Sequence, residues 1–197
     1  ATPYYSVQQQ FGSYNFYRTL WDVGGAITDS RSLSVRFAGG YQNSGSFRDF
    51  NFIDRKVFNP SVTWRPTDKT TMTVDVEILK QDFRADSGIP VIGNRPAPVP
   101  ISRSYGDPNT PASFTNKTHI GFHLDHKLNE SWKLTNRFLS SFIDAESIWA
   151  NPAPAFGNAL QADGRTLNRN IFGQTSYVRT YATNLDLTGK FAVAGTQ

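Results

Sequence analysis

Between Thr71 and Ile78 the chain alternates without a break: Met72, Val74, Val76 and Ile78 share one parity, and Thr71, Thr73, Asp75 and Glu77 the other. A period of two sends successive side chains to opposite faces, so this stretch predicts a strand with one apolar and one polar side. The pattern recurs at Leu33, Val35 and Phe37, at Val62 and Trp64, at Ile120, Phe122 and Leu124, and at Leu185 and Leu187. No stretch carries a sustained 3.6-residue stripe. The chain reads as all-β, with about seven long strands expected near 8–25, 31–43, 52–65, 70–83, 113–126, 132–145 and 174–191.

The links between these strands come in two classes. Residues 25–30, 65–70 and 127–131 are tight and carry Pro, Asp, Asn and Ser, which form turns through a fixed φ or through side-chain bonds to the backbone. Residues 42–50, 85–112 and 146–170 are long. Short and long alternate, as expected for an antiparallel up-and-down sheet with all tight turns at one end and all long loops at the other. Transmembrane β-barrels have that layout. A soluble β-sandwich would share the alternation. Against it, the patterned stretches exceed the ~5–6 residues of ordinary strands. Trp21, Trp64, Trp132, Phe58, Phe142 and Tyr177 also gather near strand ends, where a barrel carries its aromatic girdles.

Composition removes several classes. The 197 residues contain no Cys, which excludes disulfides, Cys-ligated zinc and thiol catalysis. Mean hydropathy is −0.45, and no apolar run reaches the ~18–20 residues of a membrane helix. A β-barrel passes that test, because its lumen-facing residues dilute the lipid-facing ones. The net charge of +4 is scattered rather than gathered in a stripe, which argues against nucleic acid. Residues 1–5 show neither a basic nor an apolar leader segment.

Three stretches resemble the early barrel region of TonB-dependent outer-membrane siderophore receptors. The first runs from Phe11 to Arg18, through Leu20–Asp29 and Gly39–Asp49; the second is Pro60–Thr70 with the strand after it. The third is Gly88–Pro100, leading to Gly121–His126 and Trp132–Phe138. The resemblance implies a partial barrel domain over residues 1–197, with an N-terminal plug and the later strands of a barrel of about 22 strands lying outside it. It further implies a Gram-negative outer membrane and a ferric siderophore as ligand. Energy would come from the TonB complex through the plug. Lipid and the remaining strands, or another chain, would cover the sheet. Iron would travel as chelated cargo, with no cofactor. The competing expectation is a small stand-alone or self-associating β-barrel or sheet with a structural or adhesive role.

The 85–112 loop, with six prolines, reads as a stiff external segment, and Arg84, Arg95 and Arg103 are its candidates for an anionic chelate. Trp149, in the next long link, falls where the resemblance implies an aromatic ligand contact. His119 and His123 share a face but sit about 13 Å apart along a strand, too far to chelate one ion, and His126 points the other way. Asp75 and Glu77 have a spacing within glycosidase range. They also suit a water-filled lumen wall. No Gly-x-Ser-x-Gly, His-Glu-x-x-His or phosphate loop occurs, so no enzyme is expected. The barrel reading puts Met72, Val74, Val76, Ile120, Phe122, Leu124 and Leu185 toward lipid, and Asp75, Glu77, Arg137 and Asp186 toward the lumen.

Overall fold

The computed structural model describes residues 2–152 and 160–190, and among these every regular element is a β-strand. Eight form one antiparallel sheet in which each strand pairs with its neighbours in sequence: β1 Tyr4–Gly12, β2 Phe16–Ala26, β3 Leu33–Ser44, β4 Ile53–Thr67, β5 Thr70–Phe83, β8 Ser113–Lys127, β9 Trp132–Pro152 and β10 Arg169–Gly189. The hairpin β6 Val91–Ile92 and β7 Arg95–Pro96 lies in the loop between β5 and β8. Phe191, in the expected last strand, falls outside the described residues.

The strand expected over 8–25 is two strands, raising the count from seven to eight. Ser13–Phe16 is a tight turn, with Tyr14 and Asn15 at φ 60° and 56° and the Phe16 amide donating to the Ser13 carbonyl at 3.2 Å. Two consecutive positive φ values define the mirror-image turn that suits hairpin twist, a position usually marked by Asn-Gly. Tyr-Asn hides it. This tight turn belongs to the long-loop end, so strict alternation of link length fails while the sorting of long loops to one end holds. Backbone bonds show both ends. Arg65 donates to Ser32, Lys127 to Lys69 and Lys190 to Ser131 at the short-turn end. Gly45 donates to Tyr14 and Asp49 to Ser102 at the other.

Register makes the two faces explicit. Met72 pairs with Leu124, Val74 with Phe122 and Val76 with Ile120. The row through Val74 continues to Val62 and Val35 on one side and to Phe138 on the other. The opposite face carries Asp75, Glu77, Arg137 and Asp186, as parity predicted. Its charges are matched across strands: Arg36 to Asp22 at 2.7 Å, Lys117 to Glu77 at 2.5 Å, and Arg137 and Lys133 to Asp125 at 3.1 and 2.7 Å. His123 lies 3.1 Å from Asp75, and His126 is on the apolar side, bonded to Thr70.

The sheet is a single layer. Among the described residues Ala97 and Ala150 are the buried hydrophobics, whereas Val74 is 43% and Leu185 69% exposed. A sandwich would bury these side chains against a second sheet. None of the described residues supplies one. The apolar band is bounded, too. Beyond the row Phe58–Ile78–Thr118–Phe142 the same face turns to Lys56, Lys80, Asp54, Asp82, Asp144 and Glu146. A band of limited height, uncovered by protein and fringed by charge, is the surface that lipid covers. At 21 residues each, β9 and β10 far exceed the ~9–11 that span a bilayer. Their upper parts stand clear of it.

Candidate functional site

The long-loop end gathers the candidate residues, and it is built around arginines. Arg84, directly after β5, donates to the carbonyls of Phe50 at 3.2 Å, Pro108 at 3.2 Å and Thr110 at 2.9 Å, and its guanidinium lies over the Phe52 ring. Arg48, from the loop between β3 and β4, bonds Asp86 at 2.9 Å and the Ile101 carbonyl. Arg169, the first residue of β10, donates to the carbonyls of Tyr105 at 3.1 Å and Gly106 at 3.3 Å. Three strand junctions therefore grip the 85–112 loop by its backbone. Carbonyls in a segment without regular structure need donors, and guanidinium supplies several in a fixed fork.

Within this loop Arg95 sits at the tip of the β6–β7 hairpin, closed by Gly93 at φ 64° and Asn94. Glycine at the first central position of a two-residue turn is what that geometry requires. Arg95 and Arg103 are both exposed, and among the described residues neither side chain forms an ion pair.

Trp149 is on a strand rather than in the loop expected over 146–170, because β9 continues to Pro152 and β10 begins at Arg169. Beyond Glu146, the last partner of β8, strands β9 and β10 pair only with each other. Ser113 holds this extension from the side: its hydroxyl accepts from the Ile148 amide at 2.9 Å and donates to the Ile148 carbonyl at 3.1 Å. The run Ile148-Trp149-Ala150 breaks period two and so reads as loop. Trp149 shares the polar face with Arg137 and stacks on Phe172, centroids 6.1 Å apart at 23°. The Ser87 hydroxyl donates to the Ala150 carbonyl, tying the base of the proline-rich loop beside this aromatic pair. The four predicted residues thus occupy one end of the sheet, with Arg84 already engaged by backbone. Arg48 and Arg169 were not foreseen. Only the partner carbonyls reveal their role, and those lie 53 to 64 residues away in sequence.

Facing the proline-rich loop is the segment 160–168, braced by the Leu160–Leu167 bridge. Its turn is tied by Asp163, whose carboxylate accepts from the Thr166 hydroxyl at 2.5 Å and from the Thr166 and Arg165 amides at 2.9 Å each. These donors, the Thr166 hydroxyl foremost, hold the Asp163 carboxyl below the usual carboxylate range. A depressed folded value contributes order that is complete above the ordinary carboxylate pKa of about 4 and is lost as pH falls through the folded value. Protection of the Thr166 amide hydrogen, its exchange rate divided into the intrinsic rate at the same pH, is therefore expected to fall only at acid pH, and Asp163→Asn should remove that pH dependence of the protection.

No family model matches the chain. Among curated proteins it is 26% identical over 180 residues to the metal-pseudopaline receptor of Pseudomonas aeruginosa, covering 90% of this chain and 24% of the receptor. To the ferric-pyoverdine 358 receptor of Pseudomonas putida it is 26% identical over 162 residues, covering 81% and 20%. Among solved structures, the siderophore receptor PiuA of Acinetobacter baumannii superimposes with TM-score 0.84 at 21% identity, over 98% of this chain and 28% of that one. The ferric-catecholate import receptor Fiu of E. coli gives 0.85 at 18%, over 99% and 32%. These structural likenesses establish the fold. The chain spans about a quarter of the length of the curated relatives it matches. In sequence and in fold it is similar to the barrel part of TonB-dependent siderophore receptors, proteins of the Gram-negative outer membrane, and this likeness does not favour a small stand-alone or self-associating β-barrel or sheet with a structural or adhesive role.

Proposed function

We propose that this chain forms the early barrel wall of an outer-membrane receptor that takes up a ferric siderophore. One observation carries the reading: a single-layer sheet with an uncovered apolar band on one face, a charge-matched polar face on the other, and arginine-anchored loops at one end. The apolar band meets lipid, and the polar face lines the lumen. Among the described residues the outer edges of β1 and β10 are unpaired, and they require further strands, because unsatisfied backbone is costly in lipid. A plug domain fills the lumen and couples to the TonB complex. Both the plug and the later strands belong to parts of the protein beyond residues 1–197. Catalysis and a resident cofactor have no place in this scheme, and iron passes through inside its chelator.

Ligand contact falls to Trp149, Arg95 and Arg103 at the loop-bearing end, while Arg84 sets the loop that presents them. The Trp149–Phe172 stack offers an aromatic face to an amphipathic chelate. Trp149→Ala in the full-length receptor should weaken binding of the cognate ferric chelate by about 1–3 kcal/mol, as removal of a central aromatic contact does. Isothermal titration decides it. An unchanged dissociation constant removes Trp149 from the site and leaves the barrel intact.

A further inference from the structure

On the polar face one row of side chains runs Gln10, Arg18, Gln42, Arg55, Gln81 and Thr115 across β1 to β5 and β8. It carries two cations and no carboxylate. Arg18 Nε donates to the Gln10 amide oxygen at 2.9 Å, and Arg55 Nε to that of Gln81 at 2.6 Å. A neutral acceptor orients each guanidinium and leaves its charge uncompensated. Elsewhere on this face Arg36, Lys117 and Arg137 each meet a carboxylate. Asp54 and Asp82, next to Arg55 and Gln81 in sequence, belong to the opposite face. Arg18 and Arg55 are half-buried, and among the described residues neither forms an ion pair.

Beside this row the wall is hollowed. A depression of about 450 Å³ is lined by Arg18, Gln42 and Arg55 and, one step toward the short turns, by Leu20, Gly40 and Val57. Leu20 lies over Gly40, where a Cβ would stand 2.5 Å from its methyl carbon, and this keeps the wall low between the two arginines. Asp22 also borders the depression, but Arg36 takes both its oxygens and the Tyr4 hydroxyl donates to one of them. Two like charges about 10 Å apart, two strand spacings, in a half-buried wall repel each other and lose hydration. A diffusing anion would relieve them only while bound. A carboxylate carried on the same polypeptide relieves them in every state, at an effective concentration of about millimolar or more. We infer that Arg18 and Arg55 form a two-pronged dock for an acidic segment of the plug domain. Each guanidinium takes one carboxylate through its Nη groups, and Leu20 and Val57 take the apolar part of the segment between them.

This rests on the receptor reading, which supplies the plug, and the experiment separates the two. Hydrogen–deuterium exchange with mass spectrometry is followed on the ligand-free full-length receptor in detergent. In the double variant Arg18→Gln, Arg55→Gln, exchange should quicken about tenfold or more in one acidic segment outside residues 1–197, the factor expected from losing hydrogen bonds to charged groups. Strands β1 to β5 should stay protected, because their backbone ladders are untouched. Raising salt from about 50 to about 500 mM should quicken the same segment in the wild type and leave the double variant unmoved. Arg18→Lys with Arg55→Lys should fall between the two, since lysine keeps the charge and loses the fork. Either glutamine variant alone repeats the test if the double variant fails to fold. Unchanged exchange outside residues 1–197, or quickening confined to the 85–112 loop, overturns the inference and leaves the receptor standing, because ligand titration of the same protein is a separate measurement. A full-length protein in which no domain fills the lumen brings down the receptor reading, and the dock with it.

Discussion

Replacing Phe122 by arginine is expected to lower the folding stability of the full-length barrel by about 2–4 kcal/mol, the cost of a cation on the lipid face near the bilayer midplane. Phe122 sits at the centre of the apolar band. Val74 and Phe138 lie directly across from it, and Ile120 and Leu124 flank it along β8. No acidic side chain is in that set to receive the charge. Ser61 gives the control, since it lies on the polar face directly opposite Asp75. Ser61→Arg should change stability by less than about 0.5 kcal/mol, as an arginine facing water between the Asp75 carboxylate and the Arg36 cation does. Refolding into bilayers across a denaturant series measures both. Equal costs at the two positions would remove lipid from the apolar face.

The second large effect is expected at Arg84. Its side chain serves three carbonyls on two loops, and hydrogen bonds from a charged donor contribute about 1.5–3 kcal/mol. Arg84→Ala would leave the Phe50, Pro108 and Thr110 carbonyls without that donor. Since strands β5 and β8 keep their own ladder of bonds, the loss should fall on the 85–112 loop and spare the barrel. Protease cleavage within that loop should quicken, and ligand affinity should fall with it, because a loop ordered only on binding charges its entropy against the complex. Arg84→Lys, with one compact cation in place of the fork, should recover part of the effect. Unchanged proteolysis in the alanine variant would show that the prolines alone stiffen the segment.

The resemblance drawn from three stretches of sequence and the relatives found by comparison lead to the same receptors, yet they bear on different residues. The motifs lie mainly on strands and tight turns, where parity and turn chemistry restrict what can be placed. The mouth lies on loops. There the arginines Arg84, Arg95 and Arg103 look alike in sequence, all single cations in a proline-rich run. The fold distinguishes them: Arg84 is bound to backbone, while Arg95 and Arg103 stand exposed. An arginine's reach spans several ångströms, so its task depends on which carbonyls the fold brings near.

By itself the sequence determined the all-β class, the two faces and the sorting of long loops to one end. All three follow from local rules: side chains alternate with a period of two, and an up-and-down path returns every second link to the same side. The tertiary structure decided the rest. It split residues 8–25 at Tyr14-Asn15, carried β9 past Glu146 to place Trp149 on a strand, and set Arg48, Arg84 and Arg169 against loop carbonyls. It also opened a cleft between the proline-rich loop and the 160–168 segment. Each of these depends on partners that meet only once the sheet is assembled. A hydrogen bond or an apolar wall between distant loops leaves no periodic trace in either segment, because neither half needs to be amphipathic for the pair to form.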